Sequence, residues 1–373
     1  MKIGVNARVL IAQRMEGVAR FIYETLKCMV KAHPEHEFHF YFDRPYDDLF
    51  LFADNVIPHV EFPPARHPVL WYLWFEHSLP KAMKRDGIDV CYSGDTFMSL
   101  KTNVPTLLVS HDINYHHYPE HIIWSHKKFY QHYFPRYHKK AKHIIAVSDA
   151  TKQDIIQVYG LPESKVSVAY NAVPEGFKPI AEEEVKRVRE KYTQGKPYFI
   201  YLGSLHPRKN VDKLILGYSS FREKYASDIG MVIYGRKAWK SEAIFEAYEN
   251  SPFKSDIQFM DNSEGSIHQL MGAALGLCYV SLHEGFGIPI LEAFSAGIPV
   301  ITSNRSSMPE VAGDAALLAD PESVESISDQ MNRMATDETL RNELVKKGFE
   351  RLKRFSWEES ANIIFEKLLT VSN

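Results

Sequence analysis

Short runs of apolar and β-branched residues alternate along the chain with longer stretches whose apolar positions recur at helical spacing. "KIGVN", "EFHFYF", "DVCYS", "TLLVSHD", "HIIAVS" and "VSVAYN" read as strands, with helices between them at 17–32, 119–140 and 149–159. The alternation predicts a parallel sheet with helices on both faces. The pattern then restarts. "YFIYLG" (198–203), "GMVIYG" (230–235), "IQFMD" (257–261), "LCYVSL" (277–282), "PVITS" (299–303) and "ALLAD" (316–320) alternate with helices of their own. Two helical segments close the chain, about 337–354 and 357–371. Between the two series, Pro174, Gly176, Pro179 and a charged helix place a linker near 173–195.

The expected fold class is therefore α/β, with two Rossmann-like doubly wound parallel-sheet domains facing a central cleft. A length of 373 residues suits two cores better than one. Ligands of such sheets bind at the carboxyl ends of strands, near helix N-termini, so the loops that follow strands carry the expectation of function.

Composition narrows the classes. Formal net charge is −3, which speaks against a nucleic-acid partner. Cys28, Cys91 and Cys278 lie far apart, without a CxxC pair, so neither a disulfide scaffold nor a structural zinc site is expected. "MKIGVNARVL" reads as a strand, not as a signal peptide, and no apolar run approaches the ~20 residues of a membrane span. The expected location is cytoplasmic. Segment 127–142 holds six Lys or Arg and no acid. Lys127, Lys128, Arg136, Lys139, Lys140 and Lys142 alternate there with Phe129, Tyr130, Tyr133 and Phe134. The segment reads either as a solvated helix face or as a peripheral contact with the inner face of a membrane.

The chemistry concentrates in two loops. In "SLHEGFGIPILEAFSAGIPVITS", a buried strand leads through a glycine-rich turn into a short helix. Pro289 suits the first turn of that helix and Gly297 its C′ position. Gly285 and Gly287 let the backbone turn tightly and approach a ligand. Glu284 at the strand end and Glu292 on the first helical turn suit hydroxyl donors, because a carboxylate only accepts. An extended ligand with hydroxyls, a diphosphate and more hydroxyls, such as a nucleotide sugar, has the matching shape. Taken alone, the two glutamates read as helix-dipole partners or surface charges, and the glycines, the proline and the strand–loop–helix context argue for more. The second loop, "YLGSLHPRKNVDKLI", places Arg208 and Lys209 at a helix start. Cations gain nothing from the dipole there, so an anion between them and the helix gives the placement a reason. As an isolated pair they read as solvated cations.

Together these stretches resemble the retaining glycosyltransferases of family 4, which have the two-domain GT-B fold. "EGFGIPILE" matches that family's E-x7-E element and "GSLHPRKN" its phosphate loop. "IIAVSDATKQDIIQVYGLPESKVSVAYNAV" and "FSWEESA" match the end of its N-terminal domain and its closing helix. The resemblance implies an acceptor-binding domain at 1–178, a donor-binding domain at 179–355, and a helix at 356–373 that returns to the first domain. It implies that Arg208 and Lys209 hold the donor diphosphate and that Glu292 bonds the ribose. It implies that Glu284, with the backbone of Gly285, Phe286, Gly287 and Ile288, holds the transferred sugar. His111 matches a family histidine that faces the sugar and phosphate, and Gly17 a glycine near the donor phosphate or the acceptor. Glu16 replaces a second glycine there. Ser204 stands in the donor loop where some members carry an arginine.

The implied reaction moves a hexose from a nucleoside-diphosphate sugar to a hydroxyl of a glycan or lipid-linked acceptor, with retention. A GDP-mannose donor is favoured by the PRKN form of the loop. Glu284, His111 and Lys209 are the expected catalytic groups. No metal or other cofactor is expected, because no DxD-type element is present. A dinucleotide oxidoreductase lacks its GxGxxG after the first strand, and a P-loop enzyme its GxxxxGK[ST]. A sugar-nucleotide epimerase and a non-catalytic sugar-nucleotide binder remain as alternatives.

Overall fold

A computed structural model describes the chain except residues 13, 14, 16, 238, 239, 262, 264 and 373. Glu16, which replaces the family's second glycine, lies outside the described residues. The chain divides into two units, one formed by Met1–Asn171 with Ser356–Asn373 and the other by Ala172–Phe355.

The first unit is built on a seven-stranded parallel sheet of order β3-β2-β1-β4-β5-β6-β7. Its strands are β1 (Lys2–Asn6), β2 (Glu37–Phe42), β3 (Val56–Val60), β4 (Val90–Ser93), β5 (Thr106–Ser110), β6 (His143–Ala146) and β7 (Val166–Val168). Every residue of β5 is buried, as expected of a strand covered on both faces. The last helix, Trp357–Ser372, packs here. Phe365 stacks on His33 with ring centroids 3.4 Å apart, and the Ser360 hydroxyl donates to the Tyr170 carbonyl at 2.6 Å.

The second unit repeats the plan with six parallel strands of order β10-β9-β8-β11-β12-β13. These are β8 (Tyr198–Leu202), β9 (Gly230–Tyr234), β10 (Ile257–Met260), β11 (Gly276–Tyr279), β12 (Val300–Ser303) and β13 (Ala316–Ala319). In both sheets the strand order reverses beside the first strand, between β1 and β4 and between β8 and β11. Adjacent strands there send their helices to opposite faces, and a crevice opens at their carboxyl ends.

All twelve expected strands form, most of them ending one to three residues earlier than expected. β3 was not expected. Its run "VIPHV" contains Pro58, which cannot donate to a ladder and which an edge strand tolerates. The expected helix 119–140 begins only at Trp124, after a 3₁₀ turn at Pro119–His121. Among the described residues, no helix is long and apolar enough to cross a membrane.

One buried histidine makes the first unit sensitive to acid. His138 donates from Nδ1 to the Phe134 carbonyl at 2.7 Å, so Nε2 accepts from the Ser110 hydroxyl at 3.0 Å. Burial lowers its pKa to about 4, with a smaller push from Lys165. The unfolded chain therefore takes up this proton first, near pH 6.5, and stability falls as pH drops toward 4. Denaturant unfolding should show a loss of about 2 kcal/mol between pH 7.5 and pH 5 from this residue. His138→Gln should remove this residue's share of the slope and leave that of His143, which burial also lowers to about 4, and an unchanged slope would show that the group titrates normally.

Candidate active site

The two loops singled out by the sequence follow β8 and β11, on either side of the reversal in the second sheet. After β8 the backbone passes Gly203 and Ser204 and closes a 3₁₀ turn, Pro207–Lys209, before the helix Val211–Tyr225. Ser204 is partly buried, and its carbonyl accepts from the Tyr201 hydroxyl at 3.1 Å. Gly235, after β9, lies so close that a Cβ there would stand 1.8 Å from the Gly203 oxygen.

Asn210 fixes where Arg208 and Lys209 point. It adopts the left-handed conformation, φ 60°, which Asn tolerates better than most residues. Its amide donates to the carbonyls of Val280 at 3.0 Å and Pro321 at 2.7 Å. Leu282 N–H also donates to the Arg208 carbonyl at 2.9 Å. The loops after β8 and β11 are thereby bonded together through backbone.

Between them lies a charged triad. Glu284 is buried, and its carboxylate meets Arg208 Nη1 at 2.7 Å through one oxygen and Lys209 Nζ at 2.7 Å through the other. Lys209 donates as well to the Tyr279 hydroxyl at 2.7 Å, and Arg208 to the His283 carbonyl. Burial alone would raise the Glu284 pKa. The charges of Arg208 and Lys209 and their hydrogen bonds override it and hold the carboxyl well below the usual range. Burial, with Glu284 adding to it, pushes the Tyr279 phenol far up, so Tyr279 is a neutral partner.

The turn beyond Glu284 has Phe286 buried and Gly287 at φ +105°, a conformation a side chain would strain. Ile288 opens the helix Ile288–Ser295, with Pro289 in its first turn. Glu292, expected in that first turn, stands in the second, half-buried, as the fifth residue of the helix. The structure thus gathers Arg208, Lys209 and Glu284 into contact, with Gly285 to Ile288 in the adjoining turn.

His111 and Gly17 belong to the first unit. His111 follows β5, partly buried, edge-on to Phe21 at 5.4 Å. Its Nε2 lies 2.7 Å from the Gly94 carbonyl and so carries the hydrogen, which leaves Nδ1 as an acceptor. Burial lowers its pKa from 6.5, so the ring is neutral at pH 7. Gly17 is exposed, with φ +51°, and precedes the helix Val18–Ala32. The loops after β1 and β4 hold a pair that sequence reasoning missed. Arg8 bonds Asp95 at 2.6 Å and lies 4.6 Å from the Phe97 ring centre, and Asn6 donates to the same carboxylate at 2.6 Å. Their place just after strand ends was the available signal. Tyr279 was missed because it reads as an ordinary strand aromatic.

Among the described residues, one group brings three ligand atoms within 4.8 Å of each other, His39, His59 and Asp86. These residues already have protein partners. Glu37 Oε2 lies 3.3 Å from His39 Nε2, and His39 Nδ1 lies 3.0 Å from His59 Nε2. Asp86 accepts from Arg85 at 2.8 Å and from the Tyr41 hydroxyl at 3.0 Å, with His59 Nδ1 3.7 Å away.

Comparison with known proteins places these features. The model of the "Glycosyl transferases group 1" family matches residues 182–351, and that of "Glycosyltransferase Family 4" residues 15–176. The O-antigen chain mannosyltransferase B of Escherichia coli is 30% identical over 278 residues, 74% of this chain and 72% of that one. The chain belongs to glycosyltransferase family 4. This family 4 enzyme is also 25% identical over 276 residues to the O-antigen chain mannosyltransferase RfbU of Salmonella typhimurium, 73% of this chain and 72% of that one. Its fold matches the Anabaena protein HepE, solved with UDP and glucose, with a TM-score of 0.76 at 16% identity over 99% of this chain and 100% of that one. The glycosyltransferase WaaG of lipopolysaccharide biosynthesis matches with a TM-score of 0.73 at 16% identity over 98% and 99% of the two chains. At these identities the likeness shows the fold, the GT-B architecture.

Removing the carboxylate of this cluster leaves two cations facing each other, at a cost of about 3 kcal/mol, whereas removing one cation leaves the other paired with Glu284. Glu284→Gln should destabilise the protein by that order and Lys209→Met by less. The double variant should lose less than the sum by at least about 1 kcal/mol. Additive losses in urea unfolding would mean that the two groups do not interact.

Proposed function

We propose that this glycosyltransferase moves a hexose from a nucleoside-diphosphate sugar to a hydroxyl of a glycan or lipid-linked acceptor, with retention and without a metal. The observation that carries the reading is the triad of Arg208, Lys209 and Glu284 at the reversal of the donor-side sheet. Two cations within reach of one carboxylate suit a ligand whose diphosphate adjoins a hydroxyl-bearing ring. The mannosyltransferase relatives favour a mannose donor, carried by GDP.

In this reading Arg208 and Lys209 stabilise the charge that grows on the departing diphosphate as the glycosidic C–O bond breaks. Ser204 lies beside that diphosphate and Glu292 bonds the ribose. The backbone at Gly285, Phe286, Gly287 and Ile288 lies along the sugar. Glu284 keeps acceptor capacity beyond its two ion pairs, since a carboxylate offers about four lone-pair sites. Two cations also quench it as a nucleophile, which argues against a covalent glycosyl intermediate. The reaction then proceeds on one face, with the leaving phosphate oxygen taking the proton of the attacking hydroxyl. His111, neutral, offers Nδ1 to a sugar hydroxyl, and Gly17 lies along the donor phosphate or the acceptor. The positive charge that a divalent ion supplies elsewhere comes here from Arg208 and Lys209.

Thermal shift against GDP, UDP, ADP and TDP sugars should select one donor. Release of its nucleoside diphosphate should require an acceptor, which separates a transferase from an epimerase or a binder. EDTA should leave the rate unchanged. Glu284→Gln and Lys209→Ala should each cut turnover by at least ~10²-fold, and near-wild-type rates in both would remove the assignment.

A lipid-linked acceptor suits a peripheral membrane contact through the helix Trp124–Lys140, at the inner face of a membrane. Segment 127–142 does not present an aromatic face, because Phe129 and Phe134 are buried and Tyr130 and Tyr133 partly so. Lys140 is spent on the carbonyls of Leu100 and Thr102. The apolar exposure lies at Ile123, Trp124 (68% exposed) and Val69, with the Lys128 ammonium 4.2 Å from the Trp124 ring centre. Trp124→Ser with Lys127→Glu and Lys128→Glu should abolish co-sedimentation with phosphatidylglycerol vesicles. Unchanged binding, or none by the wild type, would retire the contact.

A further inference from the structure

A third strand-to-helix loop touches the Glu284 turn. It runs from Ser303, the end of β12, to the helix Met308–Ala312. Ser306 holds the left-handed conformation at φ +56°, uncommon for a residue with a side chain. So placed, its hydroxyl donates to the Glu284 carbonyl at 2.6 Å and accepts from the Glu284 N–H at 3.3 Å. Ser307 is buried at the N-cap of the short helix, where a serine ordinarily accepts from an N–H two or three residues on. It makes no such bond. Its Oγ lies 2.9 Å from the Glu284 carbonyl and 2.8 Å from that of Phe286.

A hydroxyl has one hydrogen to give. Ser306 serves Glu284, so the hydrogen of Ser307 serves Phe286, and two hydroxyls cover two carbonyls. In a trans peptide the C=O and the following N–H point opposite ways. Anchoring the carbonyls of residues 284 and 286 therefore turns the N–H groups of Gly285 and Gly287 away from the serines. The ordinary stabilising use of Ser307, capping its own helix, is given up for this arrangement.

We infer that Ser306 and Ser307 are positioning residues that set the sugar-recognising face of the Glu284 turn, and so govern selection of the transferred sugar without governing affinity for the nucleotide. The inference rests on the assignment of that turn to the sugar. It separates two parts of one ligand, since the diphosphate meets Arg208 and Lys209, whereas the two serines bond the backbone of Glu284 and Phe286.

Calorimetry on wild type, Ser306→Ala, Ser307→Ala and the double variant, with GDP and with GDP-mannose (UDP and UDP-glucose if that donor is selected), tests it. GDP affinity should stay within about twofold of wild type. The gain in affinity from the attached sugar should fall about tenfold in the double variant, and kcat at least tenfold, with melting temperatures close to wild type. A wild-type gain preserved in the variants, or equal losses for both ligands, would overturn the inference alone. A wild type that gains nothing from the sugar would refute the parent assignment and this one with it.

Discussion

The second unit turns on one buried carboxylate held between two cations. Glu284 comes from the loop after β11, and Arg208 and Lys209 from the loop after β8. Two sheet loops already bonded through Asn210 and the Leu282 N–H are joined again here by side-chain charges. At an effective dielectric of about 20, each attraction amounts to a few kcal/mol, and desolvation offsets much of it. The contact therefore adds more to geometry than to stability. It sets the carboxylate, the guanidinium and the ammonium at fixed separations before any ligand arrives, and such preorganised charges need no rearrangement as a transition state forms.

The triad carries one net positive charge in a unit whose surroundings are otherwise apolar or hydrogen-bonded. Neutral Tyr279 accepts from Lys209, and the His283 carbonyl from Arg208. In the first unit, the same strand order leads to a different chemistry. Its reversal holds Arg8 and Asp95, which satisfy each other, and the nearby His111 is neutral. One fold used twice thus yields a charged site suited to a diphosphate and an uncharged acceptor nitrogen suited to hydroxyls.

Much of this was legible in the sequence, for identifiable reasons. The strands were readable because both faces of these sheets are covered, which makes each strand a continuous apolar run. β3 was not readable, because Pro58 breaks its pattern and edge position excuses the proline. The grouping of Arg208 and Lys209 with Glu284 was partly legible. Glycine-flanked loops after strands marked both segments as one site. The direct pairing was not legible, since each group was assigned to a ligand and their mutual attraction was not considered. The second-turn position of Glu292 followed from a helix start at Ile288, since a turn holds about 3.6 residues. Ser306 and Ser307 escaped notice because "RSSMPE" reads as an ordinary N-cap, and only coordinates show the hydroxyls facing the other way.

The most direct test is a crystal structure of this family 4 glycosyltransferase with a non-hydrolysable analogue of its donor sugar nucleotide. The account requires the diphosphate within hydrogen-bond distance of Arg208 and Lys209, and ring hydroxyls on Glu284 and the Gly285–Gly287 backbone. A sugar turned away from Glu284, or a diphosphate bound elsewhere while the triad stays closed, would contradict it.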